Sequence, residues 1–509
     1  MGSEKEMKEK DELLEAGGSA TKGTAGFALS VFNLMNAILG SGILGLPYAM
    51  AQMGILSFFI ICGTVAGLAY YAILLMLDLC KQTGAKAYES LGQKSFGNLG
   101  RYLVAACIIC QNMGAMSSYL FIIKAEVPSV LKTMLCNPAD ELCNSYMNPA
   151  WWANGTLILT LVTLFVILPL SSLRNIGFLG YTSGFSISCM VFFTLVIIVK
   201  YFLHTEPCPL FDDAVASGVM LYSNYTADDA NIDSLKDNYL EPANASTLLK
   251  TGVYIPGTEE TAGHIAAECT HSAHLPEQYC NMQPQECSTN LVYFTDTSVY
   301  SMPTMTFSFV CHTAILPIYA ELKSQSAGQM KKVAATSLAS CFSLYFLASL
   351  FGYSTFYNYV QSELLMTYNH TDPSNVLTLI VRACVIIGVI LTLPIVHFPA
   401  RRAVIFLARP KKDAVTDFSW AWHIAVMLLL IGTCFTLVVL VPDIRDIFGL
   451  VGATSSSMLV FILPSLFYVK LAEGTYKDNK RKLSAMVFLV FGICFSILTL
   501  SIIIYKKFQ

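Results

Sequence analysis

From Gly23 to Leu77 the chain carries no Asp, Glu, Lys or Arg, an uncharged run of 55 residues. A bilayer core takes about 20 apolar residues per helix, so this run predicts two membrane spans joined by a tight turn. The rest of the chain follows suit. Charged residues are only 13% of the whole and apolar ones 55%, whereas charged residues make up about a quarter of a soluble domain. An ordinary soluble fold is excluded. A net charge of -3 with no extended basic patch also excludes a nucleic-acid surface.

Uncharged windows predict eleven transmembrane helices, at 27–50, 55–77, 102–123, 152–173, 178–199, 297–320, 335–359, 375–398, 420–441, 447–469 and 483–505. No Asp or Glu falls inside any of them, and Arg382 in the eighth is expected at one end or facing protein interior, because charge at mid-membrane is costly. Basic residues collect in alternate loops, among them Lys81, Lys94, Arg174, Lys331, Arg401, Arg402, Lys470 and Arg481. This one-sided bias predicts a cytosolic N-terminus and a C-terminus outside. Residues 1–26 read as a polar, disordered cytosolic segment rather than a cleaved signal.

The long loop 204–296 then lies outside, between a first group of spans (27–203) and a second (297–470), with span 483–505 left over. Its sequons at Asn224 and Asn244, and a further one at Asn369, fall on the side already chosen from Lys and Arg, and predict glycosylation. Asn154 also heads a sequon, but it sits at the edge of the fourth span. Of 16 cysteines, Cys136, Cys143, Cys208, Cys269, Cys280 and Cys287 lie in outside loops, an even six suited to disulfides. The other ten lie in or beside spans, as small buried apolar residues, and none has metal-ligand spacing.

Function belongs where intramembrane backbone is broken or polar. The first span holds Asn33 and Asn36, then Gly40, Ser41, Gly42, Gly45 and Pro47 at its middle. Glycine frees the backbone and proline removes a donor. In lipid such a break survives only beside a cavity or with partners; tight helix packing through small residues is the simpler alternative. The sixth span carries Pro303 and Pro317 near its ends and Cys311, His312 and Thr313 at its middle. His312 is expected to support the unwound segment by hydrogen bonding rather than to relay protons. The second interrupted helix comes five spans after the first. Because five is odd, the second group enters from the opposite side, which predicts a five-plus-five inverted repeat with broken helices one and six.

The strings Ser30–Leu46, Gln111–Leu120 and Phe307–Tyr319 resemble the sodium-coupled neutral amino acid transporters, as do Leu350–Tyr353, His397–Arg402 and Val441–Arg445. The resemblance runs over about 26–505 in unbroken order. It implies the leucine-transporter-like fold and a central site at the broken helices. Pro47 stands where the family usually has a small residue, and the outside loop is long for it.

The resemblance implies a free amino acid as substrate. Its carboxylate would meet the N–H groups of Gly40, Ser41 and Gly42 at the start of the second half-helix. Carbonyls around Phe309–Cys311 would accept from the ammonium. Cys311, His312 and Thr313, with Asn112 and Ser117, would line the side-chain pocket. Asn36, Leu39 and Thr392 match the family's sodium ligands, and Pro394 frees a carbonyl one turn before itself. Without the resemblance, a Thr392 hydroxyl bonded back to its own helix is the simpler expectation. Cys208 and Cys287 resemble the family's loop-bridging pair.

The resemblance implies sodium-coupled symport of small neutral amino acids of the glutamine or alanine type, at the plasma membrane, with no cofactor and sodium as the coupling ion. Proton coupling is the nearest alternative, and an amino-acid sensor using the same pocket is the next. No P-loop and no intramembrane hydrolase motif is present, so neither a primary pump nor an enzyme is expected.

Overall fold

In the computed structural model, which describes residues 25–85, 87–135, 151–172, 179–203, 288–295, 297–324, 326–371, 375–408, 419–441, 443–474 and 479–508, the uncharged run becomes three helices. They are α1 (Phe27–Ile38), α2 (Gly42–Met53) and α3 (Ile55–Thr83), with α1 and α2 bent by 59° across a break of a few residues. The other helices are α4 (Tyr88–Leu135), α5 (Gly155–Ser171), α6 (Leu179–Leu203), α7 (Ser298–Ser308), α8 (His312–Glu321), α9 (Ala327–Phe356), α10 (Leu364–Thr371), α11 (Val376–Ala408), α12 (Trp420–Leu440), α13 (Ile444–Leu471) and α14 (Lys480–Lys507). Among the described residues, eight helices are long and apolar enough to cross a membrane, or nine if the bent pair counts as one span. The architecture is all-helical. Its only strand-like contact among the described residues is an isolated bridge between Ala25 and Leu322.

The core lies between the interrupted helices and their supports. α4 packs along α11, and α6 lies against both α11 and α1. α2 packs on α7, while α9 backs α1 and α2 together. Two backbone connections tie the bent pair to the segment around α7 and α8. At one end Ala25 N–H donates to the Glu321 carbonyl (3.1 Å), and Lys323 N–H donates back to Ala25 (2.9 Å). At the other end, residues 290–295 strap the α2–α3 junction. Ile55 and Leu56 N–H donate to Asn290 and Leu291, and Tyr293 and Thr295 N–H donate to Met53 and Gln52, all at 2.9–3.3 Å. Gly54 makes the strap possible. Its φ of +80° and ψ of 165° suit glycine alone, and a Cβ there would stand 2.7 Å from the Leu291 carbonyl oxygen.

One expectation is corrected. The uncharged window of the third span ends at 123, yet α4 continues to Leu135 and carries Glu126 inside it, fully buried. Arg382 on α11 makes this tolerable: its Nε lies 3.4 Å from the Glu126 carboxylate, and its Nη2 donates to the Leu365 carbonyl (3.2 Å). Arg382 faces protein interior, as expected. Glu363, just before α10, is fully buried as well. Burial, reinforced by the Glu126 charge and opposed by Arg382, pushes its carboxyl well above the usual carboxylate range.

Candidate functional site

The first break is a short, defined turn. Leu39 adopts φ -73°, ψ 86°, and Gly40 N–H donates to the Ile38 carbonyl at 2.9 Å, an inverse γ-turn. Ser41 precedes α2 without capping it; its hydroxyl lies 2.5 Å from that of Ser118 on α4. The first N–H groups of α2 therefore have no side-chain cap, and a helix start leaves such groups without helical partners. Pro47, buried within α2, cannot donate to Ile43, which frees that carbonyl too.

The second break lies directly opposite. α7 ends at Ser308, Phe309 and Cys311 leave helical geometry (φ -100°, ψ 9° and φ -134°, ψ 4°), and α8 starts at His312. The two breaks touch. A Cβ on Gly42 would run into the Ser308 hydroxyl and stand 2.8 Å from the Ser308 Cβ, so only glycine lets the backbones approach this closely. A Cβ on Gly40 would stand 2.8 Å from the Tyr119 hydroxyl.

A single side chain reaches both breaks. The Tyr345 hydroxyl, on α9 and fully buried, lies 2.7 Å from the Ile38 carbonyl and 3.0 Å from the Ser308 carbonyl. Its one proton serves either, and its ring packs edge-on against Phe309 at 5.3 Å. Sequence reasoning passed over Tyr345, Tyr119, Ser118 and Ser308. They are ordinary residues of apolar helices, and nothing in their spacing says which neighbour they face.

The expected substrate residues divide. Gly40, Ser41 and Gly42 form the first break, and Cys311, His312 and Thr313 open the helix after the second. Cys311 and His312 are fully buried and Thr313 is half-buried. The His312 ring lies beside the Ala69 backbone on α3, but neither ring nitrogen has a hydrogen-bond partner, so the expected hydrogen-bonding support of the unwound segment is not seen. The Cys311 carbonyl already accepts from Ala314 N–H at 2.9 Å. Asn112 is buried on α4, and its amide donates one turn back to the Ile108 carbonyl at 2.7 Å; Ser117 lies beside Cys434 on α12. From α4, Ser118 and Tyr119 are the residues that meet the first break.

Of the expected sodium residues, Asn36 and Thr392 flank α6. Asn36 is buried, its Nδ2 donates to Ser183 Oγ at 3.1 Å, and its Oδ1 has no hydrogen-bond partner. Leu39 is the central residue of the γ-turn. Thr392 donates its hydroxyl proton back to Gly388 at 2.7 Å, and its Oγ1 lies 3.4 Å from Ser186 Oγ.

Cys208, Cys287, Asn224 and Asn244 lie outside the described residues. Asn369 falls in the short helix α10. The Asn154 side chain is occupied as the cap of α5, accepting from Thr156 and Leu157 N–H at 3.0 and 3.1 Å. The ten cysteines of the described residues are free.

Two interrupted helices set back to back inside a polytopic helical bundle define a membrane-transport architecture. The chain belongs to the family described as transmembrane amino acid transporter protein, whose model matches residues 23–214 and 262–508. It is 40% identical over 506 residues to sodium-coupled neutral amino acid transporter 4 of Pongo abelii, covering 97% of this chain and 87% of that protein. The transporter 4 of Homo sapiens is likewise 40% identical over 493 residues (95% and 84%), and sodium-coupled neutral amino acid symporter 2 of Danio rerio is 40% identical over 471 (92% and 80%). The resemblance drawn from the sequence motifs is thus borne out at family level.

Proposed function

We propose that this protein is a sodium-coupled secondary active transporter that carries small neutral amino acids, of the glutamine or alanine type, by alternating access. The observation that carries the proposal is the contact between two unwound segments at Gly42 and Ser308, in a chain 40% identical to sodium-coupled relatives over nearly its full length. Taking α1–α2 and α7–α8 each as one broken span and adding α5 brings the long helices to eleven spans. That count supports the five-plus-five inverted repeat of the leucine-transporter-like fold, with α14 outside it.

In this proposal the free N–H groups at Ser41 and Gly42 hold the substrate carboxylate at the positive end of α2. Carbonyls at the end of α7 accept from the ammonium, and Cys311, His312, Thr313 and Asn112 border the side-chain pocket. Sodium binds Asn36, Leu39 and Thr392; the unpartnered Oδ1 of Asn36 suits a hard cation. The protein lies in the plasma membrane with its N-terminus cytosolic and its C-terminus outside. Asn224, Asn244 and Asn369 are its glycosylation sites, and Cys208 pairs with Cys287. Non-reducing peptide mapping tests that pairing, and a fragment joining Cys208 to Cys269 or Cys280 would refute it.

Uptake into proteoliposomes decides the main proposal. Labelled glutamine and alanine should accumulate only with an inward sodium gradient, and glutamate should not. Accumulation that ignores sodium and follows a proton gradient would favour the second reading, for which the buried Glu126 and Glu363 speak.

A further inference from the structure

Beyond the three sodium residues just proposed, and resting on that proposal, the geometry points to a third wall of the coupling-ion site on α6: Ser186 supplies a ligand oxygen, and Ser183 aims the Asn36 amide oxygen at the same ion.

Helix α6 lies against α1 and α11 at once. Ser183 and Ser186 are three residues apart and share one face, with Cβ atoms about 5–6 Å apart. Both are buried, at 5% and 2% exposure. Ser183 touches α1, where Asn36 Nδ2 donates to its hydroxyl oxygen at 3.1 Å. That bond turns the other end of the amide away from α6, and Oδ1 is left buried with no partner. An unpaired amide oxygen in a dry core has lost its water without a replacement, which is costly. A cation removes that cost.

Ser186 touches α11. Its Oγ lies 3.4 Å from Thr392 Oγ1, a poor hydrogen-bond distance between two hydroxyls. Thr392 spends its only proton on Gly388, so the lone pairs of its oxygen are what face Ser186. Two ligands about 2.4 Å from one hard cation, the range known for calcium, which sodium matches closely in size, stand ~3.4 Å apart when they subtend a right angle. The separation is long for a hydrogen bond and right for a shared ion. Pro394 adds an acceptor by leaving the Ile390 carbonyl without its helical donor. Hydroxyl, amide and carbonyl oxygens without a carboxylate suit a monovalent cation better than a divalent one.

The test reads ion binding without transport. Purified protein in detergent, with no amino acid present, is titrated with sodium while its melting temperature is followed, since a ligand of the folded state raises it. Parallel titrations follow sodium-dependent uptake in proteoliposomes. Ser186→Ala and Thr392→Val should each raise the half-saturating sodium concentration roughly tenfold, as expected for one lost ligand. Ser183→Ala, which only frees the amide to rotate, should raise it by about threefold. Ser188→Ala, on the exposed face of α6, should change nothing. Should Ser186→Ala fail to fold, Ser186→Thr and Ser186→Cys decide the point: the first keeps the oxygen and the affinity, and the second trades it for a soft sulfur and loses the affinity. A shift with Thr392→Val but none with Ser186→Ala or Ser186→Cys would overturn the α6 wall alone. No shift with any of them would overturn the sodium site itself.

Discussion

The two breaks meet, yet they are made by opposite means. The first is made by the absence of side chains: Gly40 and Gly42 let the turn close and let Ser308 come within contact of the backbone. The second is made by bulk. Phe309 is fully buried against Tyr345, and Cys311 and His312 are buried beside it. A break of small residues offers N–H groups at a helix start, and a break packed by large residues offers carbonyls at a helix end. In the proposed site an amino acid would present one group to each. The contrast also separates tolerance: the first break cannot accept atoms, and the second cannot lose them.

The sharpest way to break that comparison is Gly42→Leu. The new side chain would occupy the space of Ser308 and the site, so uptake should fall to background while surface expression is kept. Gly42→Ala with Ser308→Gly should recover part of the activity, because the collision is then removed from the other side. An active, correctly trafficked Gly42→Leu protein would refute the site.

Tyr345→Phe comes next, since it removes a hydroxyl that reaches both breaks and leaves the ring on Phe309. The carbonyls it served lose their donor at about 1–3 kcal/mol, and initial uptake rates at saturating sodium and amino acid should drop roughly tenfold. Unchanged rates would mean that the breaks hold themselves.

Gly54→Ala probes the strap that joins α2 to the segment before α7. It forces alanine into a glycine-only conformation at about 1–3 kcal/mol and onto the Leu291 carbonyl. A melting temperature lower by several degrees is expected, with half-saturating sodium unchanged.

The smallest effect concerns Glu363, which precedes the helix lying on α2. Its folded-state affinity for a proton is raised, so stability is greatest below the ordinary carboxylate value of about 4.3 and falls as pH climbs toward the raised value. Glu363→Gln should flatten the decline of melting temperature with rising pH. Glu126→Gln should instead destabilise where the native carboxylate is ionised, because it removes the charge that pairs the buried Arg382.

Much of this protein was legible before any coordinates. The uncharged run, the two broken spans and the family motifs are properties of residue order, and the first break fell where Gly40, Ser41 and Gly42 said it would. The third span misled for a physical reason. A charge-free window ends at the first charge, whereas a helix ends where its backbone loses partners, and Glu126 is carried inward by Arg382, more than two hundred residues along the chain.

What the sequence by itself determined is therefore the solvent and the hinges: which segments need lipid, and where glycine and proline release the backbone. Only the tertiary structure decided what those released groups face. Tyr345 serving both breaks, Ser308 filling the space beside Gly42, and Ser183 and Ser186 standing between Asn36 and Thr392 all depend on which helices lie side by side. A serine in an apolar helix carries no mark of its neighbour, because its hydroxyl is satisfied as readily by its own helix as by another; a tyrosine hydroxyl must reach beyond its own helix, and its place in the sequence does not say to which. The packing of α6 and α9 against α1 is what brings those hydroxyls beside the broken helices.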